Sequence, residues 1–440
     1  IGIDVGGTHT DAVILDGHQV VASTKFLTSA NVRDGVLGAL DVILERSAVA
    51  HSAIEAVMIG TTQFTNAVIE RRELAPTAII RIALPSGEMI PPMTDWPEDI
   101  ADAIGRHGYM VHGGLTYDGF PIGTLDEAEI DAAIDDIAAK GIKLVAISGV
   151  FSPSNPEQEL AVAQRLQKKI PDVGLTLSHQ IGGMGLLERE NAAILNTSLR
   201  PLAKNVVQAF EDALSARDIR CPFYISQNDG TLMSADFAAQ FPALTFASGP
   251  TNSLRGASLL TRLSDAIVVD IGGTTSDIGV LQGGFPRQSN VAIKVGGVRT
   301  NFRMPDIQAI GLGGGSRVSA NGLSIGPQSV GYRLVTEGLV FGGDTLTATD
   351  IAVAAGVADI GEPEKVRSLS GDVVEAAMSR MHEIIDGGID QMKSSREPVP
   401  VILVGGGAVL VSRELSNASR LHRPEYAGVA NAIGAANAQV

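Results

Sequence analysis

The feature that most constrains the fold of this 440-residue chain is a short motif that occurs twice. Its pattern is Asp-x-Gly-Gly-Thr-x-(Thr or Ser)-Asp, with apolar residues on both sides, and the two copies lie at residues 4–11 and 270–277. Two β-branched strands joined by a glycine turn are typical of a β-hairpin. One such turn would be weak evidence. Because two closely similar turns lie far apart in the chain, the sequence predicts two related halves.

The residues of both turns suit a phosphate group. The glycines leave room for another group to approach the backbone, and backbone amides together with hydroxyls hold phosphate well. Each motif also has an aspartate at either end, and carboxylates favour hard cations such as Mg²⁺. The alternative, two ordinary tight turns, does not explain the shared residues. The predicted phosphate contacts are Gly6, Gly7, Thr8, Thr10, Gly272, Gly273, Thr274 and Thr275.

Length and composition indicate a large globular α/β protein. A chain of 440 residues is too long for one ordinary core, so two or three domains are expected. The hydrophobic content of 45 % provides a large interior, and the low aromatic content of 4 % fits close-packed α/β layers. The sequence contains no uninterrupted apolar stretch of about 18 residues, so we expect no transmembrane helix. No signal peptide is visible.

Charge and cysteine content exclude several functions. The formal net charge of −16 argues against a nucleic-acid-binding protein or one that binds anionic membranes. The lone cysteine, Cys221, excludes an internal disulfide and a cysteine-rich metal site. We therefore expect a cytoplasmic protein whose ligand is a small molecule.

The order of predicted elements suggests two domains with an insertion. We place the first domain at residues 1–200 and the second at 201–440. Proline and glycine interrupt residues 81–125, which we interpret as a small subdomain inserted in the first domain. In the second domain, residues 290–295 are predicted to form a third strand that mirrors the one at 19–26. Long helices are predicted from about 178 to 202 and from 372 to 392.

Polar residues at the ends of several predicted elements are further candidates. Thr61, Thr62 and Asn66 follow a buried strand, a common way to place polar groups at the carboxyl edge of a sheet. Glu188 extends the apolar stripe of a long helix, so it is either a cleft residue or a charge that interacts with the helix end. His9 lies inside the first turn and is expected to face a ligand.

Three further patterns leave alternatives open. Three glycines follow the strand at 401–404; they suit a nucleotide, a helix-packing turn or a dinucleotide loop, although a full G-x-G-x-x-G is missing. His179 precedes a Gly-Gly turn and could be a surface residue. Arg303, like Arg299, could bind a carboxylate or pair with Asp306.

These motifs resemble those of known families. Three of them, in order, resemble the two phosphate motifs and the adenosine motif of the actin, sugar-kinase and acetate-kinase superfamily: 4–8, 270–274 and 404–407. Longer strings resemble the hydantoinase A/5-oxoprolinase family over nearly the whole chain: 6–11, 60–67, 188–192 and 311–316. That family usually has histidine where this chain has Gln63.

The resemblance implies an α/β fold with two actin/sugar-kinase-like (ribonuclease H-like) domains around an ATP cleft. It also implies ATP-dependent activation of a carbonyl oxygen, because a phosphate ester leaves more easily than an amide or enol oxygen. Asp4 and Asp270 would hold Mg²⁺ (or Mn²⁺) through water. The remaining implied roles are catalytic for His9, Asp11, Glu188 and Asp277; nucleotide-binding for Gly313, Gly314, Gly405, Gly406 and Gly407; and substrate-binding for Thr61, Thr62, Asn66, Arg189 and Asn191.

The resulting functional hypothesis is an ATP-dependent hydrolase that acts on a cyclic amide or another carbonyl compound. A second enzyme subunit or a homo-oligomer is expected as partner. A small-molecule kinase of the same superfamily is the first alternative and would release a stable phosphorylated product. A non-catalytic ATP-dependent switch is the second.

Overall fold

The computed structural model describes residues 1–7, 9–27 and 32–438. Its strands are β1 (Gly2–Val5), β2 (His9–Asp16), β3 (Gln19–Leu27), β4 (Val57–Thr61), β5 (Ala78–Leu84), β6 (His107–His112), β7 (Leu144–Gly149), β8 (Gly174–Leu177), β9 (Phe223–Ser226), β10 (Leu232–Ser234), β11 (Ala266–Ile271), β12 (Ser276–Gln282), β13 (Phe285–Pro286), β14 (Ile293–Val295), β15 (Val298–Thr300), β16 (Ile307–Ile310), β17 (Ser316–Val318), β18 (Ile325–Ser329), β19 (Val399–Val404) and β20 (Ala418–His422).

The helices alternate with these strands. They are α1 (Val32–Ser47), α2 (Gln63–Glu70), α3 (Glu98–Ile104), α4 (Glu127–Ala139), α5 (Glu157–Lys169), α6 (Leu186–Ser215), α7 (Ala235–Gln240), α8 (Ser248–Thr261), α9 (Leu334–Glu337), α10 (Ala348–Ala354), α11 (Gly371–Met392) and α12 (Ala430–Ala436).

The first sheet is built around the N-terminal hairpin. Its strand order is β10-β9-β4-β1-β2-β3, in which β1 and β2 are antiparallel and β4 runs parallel to β1 on the other side. Ile3 on β1 and Ile59 on β4 are fully buried in a core that includes Leu40 of α1 and Leu195 of α6. The predicted hairpin and the predicted third strand are confirmed.

The second sheet repeats this topology. The hairpin β11–β12 lies at its centre, β19 and β20 continue it in parallel on one side, and β16 pairs antiparallel with β12 on the other. The predicted third strand at 290–295 is wrong, because that segment contributes β14 to a separate hairpin with β15. Gly296 and Gly297 both have positive φ and reverse the chain there, so the third strand forms later, at β16.

A third sheet separates the two halves of the first domain in sequence. The parallel strands β6-β5-β7-β8 bury their own apolar core against α4 and α5. This inserted unit spans residues 78–177, so the prediction of 81–125 covered only its proline-rich edge. The division predicted after residue 200 falls inside α6, and β9 and β10 still belong to the first sheet. Among the helices of the described chain, none is long and apolar enough to span a bilayer.

Two helices cross where the halves meet. Helix α12 packs on β1, β2 and β4 of the first sheet, and α8 packs on β11, β12 and β19 of the second. A Cβ atom at Gly256 of α8 would lie 1.8 Å from the carbonyl oxygen of Ala430, and one at Gly434 of α12 would lie 1.8 Å from that of Asn252. The absence of side chains at both glycines therefore permits backbone contact between the helices.

Candidate active site

A cleft of about 340 Å³ lies between the two duplicated hairpins. The first turn contributes Gly6 and Gly7, and the second contributes Gly272 and Gly273. The loop after β19 adds Gly405, Gly406 and Gly407, and Gly314 and Gly428 complete the glycine lining. Thr8 lies outside the described residues. The three glycine motifs that are distant in sequence therefore meet around one cavity.

The first hairpin places two carboxylates at this cleft. Asp4 on β1 lies directly opposite Asp11 on β2, and both side chains are buried. The Nδ2 group of Asn431 donates to Oδ2 of Asp4 at 2.9 Å, whereas Oδ1 of Asp4 has no hydrogen-bond partner among the described residues. Lys25, opposite Asp11 on β3, approaches its two carboxylate oxygens at 2.7 and 2.8 Å. One of the two charges thus has a protein counterion.

The second hairpin repeats the pair of carboxylates without a lysine. Asp270 lies opposite Asp277, and the Ser253 hydroxyl donates to Oδ2 of Asp270 at 2.5 Å. On the third strand, the residue opposite Asp277 is Ala309. Within the described part of the chain, the Asp277 carboxylate forms no hydrogen bond or ion pair. Asp277 does not line the cleft itself and lies behind Asp270.

In both hairpins, an aspartate is packed against a glycine of the neighbouring parallel strand. A Cβ at Gly60, next to Asp4 on β4, would lie 2.4 Å from Oδ1 of Asp4. A Cβ at Gly405, which follows β19 with φ of +82°, would lie 2.3 Å from Oδ1 of Asp270. Any larger residue at either position would displace the carboxylate.

Burial makes ionisation of these carboxylates costly. Burial, followed by the charges of Asp11 and Asp270, raises the pKa of Asp4 to about 7, against the opposing effect of its hydrogen bond from Asn431. Burial and the charge of Asp270 raise the pKa of Asp277 to about 7. Burial also raises the pKa of Asp270, although Ser253 opposes the shift. A cation bound in the cleft would offset this cost.

The donor set fits Mg²⁺ held partly by water. Among the described residues, no three histidine, cysteine or acidic side chains are grouped so that they could hold a metal ion by themselves. Mg²⁺ commonly uses one or two carboxylates and completes its shell with water and phosphate oxygens. Asp4 and Asp270 supply those two carboxylates, and the buried Oδ1 of Asp4 has no hydrogen-bond partner among the described residues.

Other predicted residues of the two turns lie at different depths. His9 lines the cleft, and burial together with Lys25 lowers its pKa against the effect of Asp11, so its imidazole is neutral at pH 7. Thr10 is fully buried within β2. Thr274 and Thr275 are exposed at the second turn but do not line the cleft.

Gly313 supports the second turn from behind. A Cβ at Gly313 would lie 2.7 Å from the backbone of Gly273 and Thr274. The next amide, that of Gly314, donates to the Gly272 carbonyl at 3.0 Å. Of the two predicted glycines, Gly314 lines the cleft, while Gly313 positions the turn.

Thr61, Thr62 and Asn66 border the first turn rather than the cleft. Thr62 donates to the carbonyl of Val5 at 3.3 Å and accepts a long hydrogen bond of 3.4 Å from Asn66. A Cβ at Gly7 would lie 3.7 Å from Nδ2 of Asn66. Thr61 is fully buried and accepts from a backbone amide. These residues hold the turn in place, and Asn66 is the one nearest to it.

The structure does not bring Glu188, Arg189 and Asn191 to the cleft. Arg189 is fully buried, and its guanidinium donates to Ser178 and to the carbonyls of Gly149, Gly183 and Met184. The amide of Asn191 bonds to the Trp96 indole at 2.7 Å and to the carbonyl of Arg299 at 2.9 Å. Arg189 and Asn191 thus join α6 to the inserted unit, and Asn191 also joins α6 to β15.

Glu188 forms an ion pair with Arg299 at the start of the same helix. Burial alone would raise the pKa of Glu188, but its own backbone amide and Arg299 outweigh that effect and lower the pKa. This carboxylate is therefore ionised at pH 7, which does not suit a proton donor. The catalytic role predicted for Glu188 has no support in its position.

Sequence reasoning missed several side chains that line the cleft. Lys25, Ser253 and Asn431 all contact its aspartates, and Thr349 lies beside Gly314. Asn252 is fully buried, and neither polar atom of its amide has a partner among the described residues. A Cβ at Gly60 would lie 2.6 Å from Nδ2 of Asn252, so this amide lies close to Asp4. None of these residues belongs to a recognisable motif.

The chain matches two family models and is similar to several known proteins. A family model described as "Hydantoinase/oxoprolinase N-terminal region" matches residues 1–170, and one described as "Hydantoinase/oxoprolinase" matches residues 189–362. An uncharacterised protein of Methanocaldococcus jannaschii is 25 % identical over 425 residues, which cover 89 % of this chain and 62 % of that protein. Caprolactamase subunit alpha of Pseudomonas jessenii is 26 % identical over 383 residues, covering 81 % and 54 %.

The solved structure of the ATP-dependent caprolactamase from Pseudomonas jessenii superposes with a TM-score of 0.80 at 22 % identity. The superposition covers 99 % of this chain and 70 % of that one. It confirms the predicted α/β fold with two actin/sugar-kinase-like domains. The chain spans less than two thirds of the length of the two curated relatives described above.

Proposed function

Because the chain belongs to the hydantoinase/oxoprolinase family, we propose that it is the ATP-binding part of an enzyme that opens a cyclic amide. One observation carries this proposal. Two duplicated hairpins bring glycine turns and three aspartates, Asp4, Asp11 and Asp270, to a single cleft, and of these only Asp11 has a lysine counterion among the described residues. Such a surplus of carboxylates beside glycine-rich turns suits a metal-bound polyphosphate.

In the proposed complex, the two turns hold the phosphates from opposite sides. The amides of the first and second turns would cradle the phosphates, and the loop at Gly405–Gly407 would lie against the adenosine. Asp4 and Asp270 would hold Mg²⁺ or Mn²⁺ through water. The cation would neutralise charge on the phosphates, which is the main requirement for phosphoryl transfer.

The chemistry proposed is phosphorylation of the amide oxygen. The oxygen attacks the γ-phosphorus while ADP leaves, which makes the carbonyl carbon susceptible to water. Overall, a cyclic amide, ATP and two waters give an amino carboxylate, ADP and inorganic phosphate. Asp11, held by Lys25, is the candidate that orients the attacking oxygen, and the neutral imidazole of His9 is available beside it. Asp277 lies opposite Asp270, whose charge contributes to the raised pKa of Asp277.

We also propose a second subunit. The caprolactamase relative is described as a subunit alpha, and this chain spans about half of it. A partner would supply groups for the steps that involve water. A homo-oligomer is the alternative arrangement.

The test is substrate-dependent phosphate release. Purified protein, alone and with the candidate second subunit, is incubated with ATP, Mg²⁺ or Mn²⁺, and a panel of lactams, hydantoins and 5-oxoproline. The expected result is release of phosphate and of the ring-opened product in equal amounts. A stable phosphorylated substrate would support the kinase alternative instead, and tight ATP binding without turnover would support a switch.

A further inference from the structure

A second polar cavity, of about 350 Å³, lies away from the cleft. Four segments form its walls: the loop before α6, the turn between β9 and β10, the chain after β15, and Leu244 in the segment between α7 and α8. Its charged and polar side chains include one arginine, one aspartate, one histidine and several amides. Its lining shares no residue with that of the cleft between the hairpins.

Arg303 and Asp229 give this cavity one positive and one negative group. Arg303 is exposed and forms no ion pair or side-chain hydrogen bond within the part of the chain that the structure describes. Asp306, its alternative partner from the sequence, pairs with Arg287 instead. Asp229 accepts from the amide and hydroxyl of Thr231 through Oδ1, which leaves Oδ2 available.

Arg255 lies close enough to Asp229 for their charges to interact, but the two side chains form no ion pair among the described residues. A Cβ at Gly230 would lie 2.8 Å from Cδ of Arg255, so this side chain lies behind the turn. Its guanidinium donates to the carbonyl of Asn437 at 3.1 Å and forms no ion pair with Asp229 in the described structure. A cationic ligand group in the cavity therefore has an acidic partner.

His179 is oriented by a buried carboxylate. Its Nδ1 atom lies 2.6 Å from Oε2 of Glu159, a residue that is fully buried. The hydroxyls of Ser152 and Ser178 donate to the other oxygen of Glu159, each at 2.6 Å. This network fixes the ring, so Nε2 is the nitrogen left for a ligand. The hydrogen bonds of Glu159 account for the orientation of the His179 ring. They do not require the ring to lie in the wall of a cavity, so its position there is consistent with ligand binding.

Asn301 supplies a loosely held amide in the same wall. Its only hydrogen bond among the described residues is a long one, 3.5 Å from Nδ2 to the carbonyl of Gly185, and its Oδ1 is buried without a partner. A Cβ at Gly182 would lie 2.5 Å from that Oδ1, so the glycine permits the close approach. Asn301 therefore keeps hydrogen-bonding capacity for a ligand.

We propose that this cavity binds a small zwitterionic amino acid. Arg303 takes the carboxylate, Asp229 takes the ammonium group, and the side chains of His179 and Asn301 hydrogen-bond to the ligand between them. A dianionic phosphate fits less well, because Asp229 would repel it. The opening of a cyclic amide yields an amino acid of this kind. The choice of chain length in the test therefore rests on the proposed function, whereas the proposal that the cavity binds an amino acid is independent of that function.

The experiment measures binding without ATP, by calorimetry and ligand-observed NMR. The zwitterionic probes are glutamate and the linear amino acids from 4-aminobutanoate to 6-aminohexanoate. The half-probes are hexanoate, which lacks the ammonium group, and hexylamine, which lacks the carboxylate. We expect at least one zwitterion to bind about tenfold more tightly than either half-probe.

The variants Arg303→Ala and Asp229→Asn assign the two ends of the ligand. Each should weaken binding of the zwitterion by about tenfold or more. Arg303→Ala should leave hexylamine binding unchanged, and Asp229→Asn should leave hexanoate binding unchanged. Arg303→Lys keeps the charge and should retain part of the affinity. Arg220→Ala, which removes an arginine that is 87 % exposed on another surface, is the matched control.

Three outcomes would overturn the proposal. They are the absence of binding by every zwitterion at millimolar concentration, equal binding by zwitterion and half-probes, and displacement of the ligand by ATP with no effect of Arg303→Ala. Failure of the proposed function is separate, because it is read from phosphate release. If the protein binds an amino acid but does not turn over ATP, the proposed amino acid site is supported and the proposed enzymatic function is contradicted.

Discussion

The two duplicated hairpins share sequence, register and topology, yet their charges are balanced differently. In both, the two aspartates of the motif face each other across the central strands. The third strand places Lys25 opposite Asp11 in the first half and Ala309 opposite Asp277 in the second. Burial raises the pKa of Asp4 to about 7 in the first half, and in the second half it raises the pKa of both Asp270 and Asp277, that of Asp277 to about 7. The duplicated fold places the aspartates, and the third strand supplies a counterion in only one of the two halves.

The largest expected effect comes from removing an inner aspartate of either half. Asp4→Asn and Asp270→Asn keep the shape of the side chain and remove its charge. Each should lower ATP hydrolysis by about a thousandfold or more, because the cation would lose one of its two carboxylates. Steady-state phosphate release at saturating Mg²⁺ measures the loss.

Asp16→Asn is the control for these variants, since Asp16 is exposed at the far end of the same hairpin. Circular dichroism establishes that all three variants fold. If only one of the two inner aspartates matters, the halves are not a symmetric clamp. If neither matters, the proposed ATP site is wrong.

The second largest effect is expected from substituting the glycines that pack against these aspartates. Gly60→Ala and Gly405→Ala should each displace a carboxylate, and Gly405→Ala should also strain the backbone because φ is +82° there. A strained or clashing substitution of this kind costs about 1–3 kcal/mol in the free energy of unfolding. Chemical denaturation measures that loss. Gly406→Ala should have little effect on stability, since a Cβ there meets no atom within 4 Å. If Gly405→Ala and Gly406→Ala lowered the free energy of unfolding equally, the predicted role of close packing at Gly405 would be wrong.

Lys25→Met tests whether the first half depends on its counterion. The variant keeps the length of the side chain and leaves the buried Asp11 without its ion pair. We expect the free energy of unfolding at pH 8 to fall by roughly 1 to 3 kcal/mol, since a buried charge loses its partner. Denaturation at pH 8 measures the change. Lys140→Met, which removes a lysine paired on the surface with Asp136, should cost less than 1 kcal/mol by the same method.

The smallest effect is the pH dependence set by the second half. Asp277 has a pKa of about 7 in the folded state and about 3.8 in the unfolded chain, so between these two pH values the folded state keeps a proton that the unfolded state has released. Stability from this group is present below about pH 4 and is lost as the pH rises through about 7. Asp277→Asn should therefore raise the melting temperature of the ligand-free protein at pH 8 by roughly 3 °C, and by little at pH 4.

Ala309→Lys offers the converse experiment. A lysine opposite Asp277 copies the arrangement of the first half and should keep the carboxylate ionised, which reduces the loss of stability between pH 5 and 8. Ala309→Gln supplies a side chain of similar length without charge. Scanning calorimetry across this pH range separates the two variants. An identical pH profile for both would show that the third strand does not set the charge.

The sequence predicts the parts of the site that are local in the chain. Both hairpins and the glycines at 405–407 follow from residue types a few positions apart, and these segments line the cleft. Lys25 was missed because strand β3 carries a bulge at Val21, since Leu15 pairs with Val20 and Ile14 pairs with Ala22. Counting back from the turn pairs Asp11 with Thr24, whereas the bulge shifts the pairing to Lys25. A register shift of this kind leaves no mark in the residue pattern.

Arg189 and Asn191 were predicted to bind substrate, but neither lines the cleft. Polar residues in the first turn of an apolar helix suggest a cleft, but here they lie against the inserted unit and fill its polar contacts. Periodicity identifies which side of a helix is buried, but it does not tell whether the buried polar groups meet a ligand or another part of the protein. The full extent of the insertion was missed for a related reason, since its strands read like any other parallel strands of an α/β protein.

The crossing of α8 and α12 constrains how the cleft can be altered by evolution. Both helices also carry cleft residues, since Ser253 reaches Asp270 and Asn431 reaches Asp4. A methyl group at Gly256 or Gly434 would push the helices apart and would widen the spacing between the two carboxylates at the same time. The two glycines, Gly256 and Gly434, therefore help to set the distance between the Asp4 and Asp270 carboxylates, although neither glycine lines the cleft.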